Sequence, residues 1–241
     1  MKAGHVAILL KTVRAHLIAA ADPKFEAGLR WFFKEPVKPY GVRTPRVREI
    51  ARLAYSEVKT WPVRDRDRFV TELWKSGMLE EGVLVSHLYR RFAKSCGERE
   101  FAMFEQWINR YVRNWSHCDG VSTWQIAASI ANQPGLADRL AGWTKSKNRW
   151  KRRSAAVSLV YEAKRGRQTE TIFHVCSLLM EDADDMVRKG VGWLLKETYP
   201  KKPREVLEFL GGWRAQTPRL ILRLAAEKMS PKDRCWLMAK G

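Results

Sequence analysis

The stretch Asn114 to Asp119, NWSHCD, holds the pair of side chains with the clearest chemical potential. In a helix, Trp115 and Asp119 stand one turn apart and share a face. The indole offers the negative face of its quadrupole and the carboxylate a full charge. Together they suit a cation or an oxocarbenium-like centre. The same two residues also fit a duller account: a tryptophan at a helix start packs into the core, and an aspartate in a first turn serves the helix dipole. His117 and Cys118 lie between them. Neighbours on a helix do not face each other, which argues against a thiol–imidazole pair.

The most basic run follows further on: Lys145, Lys147, Arg149, Lys151, Arg152 and Arg153, with no acid between Asp138 and Glu162 to balance it. On a helix, Arg149, Arg152 and Arg153 share a face, with Trp150 turned partly away. Cations clustered at a helix start, beside backbone N–H groups, suit phosphates. A solvated charged face is the alternative. A second basic segment is Arg43-Thr44-Pro45-Arg46-Val47-Arg48, where Thr44 reads as an N-cap and Pro45 as the first helical residue. Trp193 lies in GVGWLLKE. Gly190 and Gly192 before it cost about 1 kcal/mol each relative to alanine inside a helix. They suggest close approach by another backbone or by a ligand, but spacing alone favours a core tryptophan in tight helix packing. The acids Glu181, Asp182, Asp184 and Asp185 read as an interhelix turn and an N-cap rather than a metal site. There is no Walker loop, dinucleotide fingerprint or HExxH. Neither a metal nor an organic cofactor is expected.

These side chains must be held by a chain of 241 residues, of which 45% are hydrophobic, enough for a sizeable core. The net charge is +19 and the pI about 10.1, which point to a polyanionic partner, nucleic acid first and an anionic membrane surface second. The cations are spread along the chain, as on a folded basic face. Cys96, Cys118, Cys176 and Cys235 form no CxxC pair, so reduced thiols and a cytoplasmic location are expected. The apolar run in MKAGHVAILLKTVRAH is too short and interrupted for a signal peptide or membrane span and reads as an amphipathic helix.

Apolar periodicity is helical almost throughout, over roughly 2–21, 24–34, 44–58, 62–76, 79–94, 98–112, 116–132, 135–144, 148–163, 168–181, 184–198, 203–211, 217–228 and 231–238. RRSAAVSLVYEA from Arg152 resembles VRKGVGWLLKET from Val187, at an offset of about 35 residues, and TPRLILRLAAEK from Thr217 reads as a third copy. Such spacing predicts an all-α solenoid of HEAT-like or armadillo-like helical repeats, in one domain over 1–241, whose concave face can bind an extended partner. With the net charge of +19, that face is expected to be a basic DNA-binding one. A non-repeating bundle is the alternative.

At this point the chain resembles the DNA alkylation repair glycosylases of the AlkD type, from about Ala15 to Met229. GVRTPRVREI at 41–50 resembles that family's early DNA-contacting segment. NWSHCD resembles the segment with its catalytic tryptophan and aspartate, and NRWKRRSAAV and KGVGWLLKE resemble two later motifs. The resemblance implies a catalytic Asp119, with Trp115 and Trp193 flanking the lesion. It implies DNA contacts from Arg153, Thr44 and Arg48, with Arg43 standing where the family can have a glutamine. Arg43 and, from the basic run, Arg149, Lys151 and Arg152 are added as DNA-binding residues. Tyr161 stands where a DNA-contacting lysine is expected. The implied function is excision of N3- or N7-alkylated purines from duplex DNA by a monomer, without base extrusion. A non-catalytic HEAT-repeat protein binding damaged or branched DNA is the alternative, and a solenoid binding acidic protein partners a further one.

Overall fold

In the computed structural model, which describes residues 4–239, the helices form two compact units. The first comprises Met1–Ser95 and Arg110–Gly120. It contains α1 (Gly4–Ala19), α2 (Pro23–Phe32), α3 (Thr44–Val58), α4 (Val63–Lys75), α5 (Leu79–Tyr89) and α7 (Trp115–Gly120). In α3, Val47, Ile50, Ala51, Ala54 and Val58 form a buried stripe, while Arg46, Arg48, Glu49 and Arg52 stay exposed. This is the amphipathic pattern of a helix packed on one side. All of α5 but Val83 is buried, because α3, α4 and α7 pack around it.

Two of those buried α5 residues are acids, and each has its partners. Glu80 accepts hydrogen bonds from the backbone N–H groups of Tyr40, Gly41 and Val42 at 2.8, 2.9 and 2.9 Å. Glu81 accepts two from Arg14, at 3.0 and 3.1 Å, and one from the Tyr40 hydroxyl at 2.7 Å. The loop entering α3 is thereby tied to α5. Gly41 is required in that loop. Its φ is +83°, and a Cβ there would stand 2.4 Å from the Asp22 carbonyl oxygen.

The second unit comprises Cys96–Asn109 and Val121–Gly241. It holds α6 (Glu98–Arg110) up to its last residue, α8 (Ala127–Asn132), α9 (Leu140–Trp143), α10 (Arg149–Val157) and α11 (Val160–Ala163). Then follow α12 (Thr169–Ser177), α13 (Asp185–Thr198), α14 (Pro203–Trp213), α15 (Arg219–Ala225) and α16 (Pro231–Met238). The three repeated segments become α10, α13 and α15, and α13 packs between the other two. Gly190 and Gly192 lie on opposite sides of α13 and make this possible. A Cβ at Gly190 would meet Arg153 Cγ and Val157 Cγ2 at 3.3 Å, and one at Gly192 would meet Leu224 Cβ at 2.7 Å. Neighbouring helices, not a ligand, account for both glycines. The chain is an all-α protein of helical repeats.

Local departures have physical causes or none in view. The helix expected over 116–132 is interrupted by a π-helical turn, Val121–Ile126, directly after Gly120. Such a turn widens the backbone hydrogen bonding to i→i+5 over a single turn, too short a stretch for apolar periodicity to reveal. The helix expected to 94 tightens into a 3₁₀ turn over Arg90–Ser95. The helix expected over 148–163 breaks at Ser158 and Leu159, and nothing in the structure explains why. Among the described residues, no single helix is long and apolar enough to cross a membrane. Only the bent pair α1–α2 passes that test jointly, on length and composition alone.

Candidate functional site

The NWSHCD segment divides its side chains between two tasks. Asn114 caps α7: its Oδ1 accepts from the His117 backbone N–H at 2.9 Å. Its amide nitrogen then faces His117 Nδ1 at 3.3 Å, and His117 Nε2 lies 2.8 Å from the Leu79 carbonyl oxygen. These contacts make Nε2 the protonated nitrogen and Nδ1 the acceptor. Burial pushes the pKa of His117 down to about 4. The ring packs edge-on against Trp74, with centroids 5.1 Å apart. His117 and Cys118 are both buried, so they anchor α7 to the core rather than act as a chemical pair.

Trp115 and Asp119 remain half-buried. Trp115 stacks on Phe33 at 5.2 Å and 16°, with Phe32 edge-on at 5.9 Å. Below it lies the apolar cluster of Phe33, Val37 and Leu79. The indole is therefore a backed shelf, partly open to solvent. Asp119 sits one turn on, beside Gly120, where a Cβ would come 2.8 Å from Ser86 Oγ. On the facing helix a Cβ at Gly82 would come 2.5 Å from His117 Nε2 and 2.7 Å from Trp74. Gly82→Ala should thus separate α5 from α7 and cost about 1–3 kcal/mol. The check is a urea melt, and an unchanged midpoint would contradict this packing.

Buried histidines also tie the first unit to pH. His87 is likewise brought down to about 4, first by burial and then by Arg48, Arg90 and Arg91. Both pKa values are lower in the folded than in the unfolded chain, so protons bind the unfolded state preferentially as pH falls below about 6.5. Their stabilisation is complete above that value and lost towards pH 4. His117, the more deeply buried of the two, should remove about 2 kcal/mol between pH 7 and 5, and His87, more open to solvent screening, less. Equal urea midpoints at the two pH values would contradict this.

Arg43, Thr44 and Arg48 are exposed at the start of α3. Here one expectation shifts by a residue. Arg43 occupies the N-cap position, Thr44 is already helical, and no side chain caps the helix. The Arg43 guanidinium lies 4.7 Å over Phe25 and 3.8 Å from Asp22 Oδ2.

On the second unit, the basic run is not the uncompensated patch its local sequence implies. Arg149 lies 3.3 Å from Asp184, and Lys151 lies 2.7 Å from Glu105. Arg152 binds both oxygens of Asp182 at 2.6 and 3.1 Å, which raises the pKa of its guanidinium. Arg153 is buried and donates to the Met186 carbonyl at 2.5 Å. The compensating acids come from α6 and from the 182–184 turn, distant in sequence. Asp184 also caps α13 through Met186 and Val187, as expected of that acidic cluster. Trp193 on α13 is half-buried, not a sealed core residue. Tyr161 is exposed, with the Arg165 guanidinium 3.5 Å over its ring.

The expected residues therefore fall into two groups. Trp115, Asp119, Arg43, Thr44 and Arg48 belong to the first unit. Arg149, Lys151, Arg152, Arg153 and Trp193 belong to the second. Sequence reading missed Asn114, Phe33, Glu80 and Glu81 as positioning residues. Asn114 carried a usable signal, an N-cap type just before a helix. The acids did not, since Glu-Glu at a helix start reads as dipole compensation.

The fold defines a helical-repeat protein. Within that class, the chain belongs to the DNA alkylation repair enzyme family, whose model matches residues 13–229. Among solved structures it is similar to a protein from Enterococcus faecalis described as a predicted DNA alkylation repair enzyme. That match has a TM-score of 0.79 and 15% identity, over 88% of this chain and 97% of the other. It is also similar to smu.31 from Streptococcus mutans UA159, with a TM-score of 0.60 and 17% identity, over 78% and 98% of the two chains. At these identities the likeness is one of fold. No curated protein matches the sequence.

Proposed function

We propose that the protein is a DNA glycosylase that hydrolyses the N-glycosidic bond of N3- or N7-alkylated purines in duplex DNA. The observation that carries this reading is the half-open Trp115 indole, stacked on Phe33, one turn from Asp119 on a helix pinned by Asn114 and His117. Membership of a DNA alkylation repair family and the charge of +19 support duplex DNA as the partner.

The chemistry needs little else. An N3- or N7-alkylated purine is already cationic, so cleavage of its bond to C1′ returns the electron pair to the ring and releases a neutral base. A general acid on the leaving group is unnecessary, unlike in ordinary glycoside hydrolysis. The sugar becomes oxocarbenium-like. Asp119 stabilises that charge and orients a water, whose oxygen bonds to C1′ and whose proton passes to the carboxylate or solvent. The indole face of Trp115 favours the same cation by about 0.5–2 kcal/mol. Trp193 is given the same task on the second unit. Because Trp115 lies on a surface shelf, it can meet a deoxyribose from outside the helix. This fits excision without the extrusion that most base-modifying enzymes use.

The test is release of free base from duplexes carrying a single 7-methylguanine, 3-methyladenine or bulky N3 adduct. Release from any of them, with an abasic site left behind, supports the reading. Tight duplex binding without release from all three would replace it with a non-catalytic binder of damaged DNA.

A further inference from the structure

On the first unit, α3 and the end of α5 border a cavity of about 270 Å³ lined by Arg48, His87, Arg90 and Arg91. No acid lines it. Arg48 comes from α3 and the buried His87 from the last turn of α5. Arg90 and Arg91 come from the 3₁₀ turn that continues α5, and both are exposed. The α5 dipole favours cations at its C-terminus and so accounts for Arg90 and Arg91. It does not account for Arg48, which arrives at the same cavity from another helix. The Arg91 guanidinium lies 5.4 Å over the Tyr55 ring, which helps orient its planar fork. A guanidinium fork can hold two oxygens of a phosphate bidentately, so three arginines lining one cavity suit that oxyanion.

We propose that this cavity binds a phosphate group, held by Arg48, Arg90 and Arg91 above His87. Arg48 already carries an expected DNA contact; the other three residues carry none. The shared chemistry is a phosphate oxyanion, and its source is either the backbone of a DNA duplex or a small phosphate. The site goes beyond the glycosylase reading and stands or falls without it, because no base release enters the test.

The full-length protein is titrated with inorganic phosphate, against sodium chloride at matched ionic strength, while the ring signals of His87 are followed by NMR. A saturable shift specific to phosphate is expected in the wild type. It should disappear in Arg90→Gln/Arg91→Gln and weaken several-fold in Arg91→Gln, which keeps the test open if the double variant melts early. Affinity for an undamaged duplex then separates the sources. A loss of about tenfold in the double variant, with the log–log salt slope smaller by about 0.9, identifies a backbone phosphate. Unchanged duplex affinity identifies a small phosphate. The proposal is overturned if phosphate acts on His87 no differently from chloride, or if the glutamine variants respond as the wild type does.

Discussion

Asp119→Asn is expected to melt with the wild type and bind duplex DNA as tightly, yet to release alkylated purines about 10²–10³-fold more slowly. The substitution keeps the size of the side chain and removes only its charge. In the proposed mechanism that charge faces a cation that exists fully only in the transition state, so its loss falls on the rate and not on binding. Such a loss corresponds to about 3–4 kcal/mol. Asp119 is half-buried, where the field of a carboxylate is less screened than in open solvent. The anchors of α7 are Asn114, His117 and the close packing at Gly82 and Gly120. Single-turnover release from a 7-methylguanine duplex, read beside a melting curve, makes the comparison. Wild-type rates in the variant would remove Asp119 from the mechanism.

Glu80→Ala is the substitution expected to cost most in stability, about 3–5 kcal/mol. The carboxylate is buried and takes three backbone N–H groups of the Tyr40–Val42 loop. Alanine would leave all three donors buried without an acceptor in a loop that Gly41 has already committed to a left-handed turn. Arg43 and Thr44 follow directly, so the variant should also bind duplex DNA more weakly, with its α3 start no longer held. Glu80→Gln keeps one acceptor oxygen and should lie between the two. A urea midpoint for Glu80→Ala within experimental error of the wild type would contradict this account of the loop.

Much of the architecture is legible from apolar spacing alone. The stripe Val47, Ile50, Ala51, Ala54 and Val58 specifies α3. The likeness of the segments at Arg152, Val187 and Thr217 anticipates the stack of α10, α13 and α15. What escapes is whatever depends on residues distant in sequence. The run from Lys145 to Arg153 reads as uncompensated because its acids, Glu105 and Asp182 to Asp184, lie on other elements. Glu80 cannot be recognised as a loop anchor until the loop and α5 are seen together. The π turn at Val121–Ile126 is hidden for a different reason: it spans a single turn, too short to stand out in an approximate apolar pattern.

The site shows the same division. Placing Trp115 and Asp119 one turn apart needs only the helix period. That Trp115 rests on Phe33 and stays half-open, and that His117 is a neutral core anchor, depends on contacts with α2 and α5. The glycines before Trp193 signalled close approach correctly, and the partners turned out to be Arg153, Val157 and Leu224.

The most direct measurement is to digest a duplex containing one 7-methylguanine in isotope-labelled water and to identify both products by mass spectrometry. Hydrolysis of the glycosidic bond predicts free 7-methylguanine carrying no label and an abasic deoxyribose with one labelled oxygen at C1′, in equal amounts. An intact strand from which only the methyl group had been removed, or a strand unchanged after prolonged incubation with 7-methylguanine and with N3-adduct substrates, would contradict the glycosylase reading.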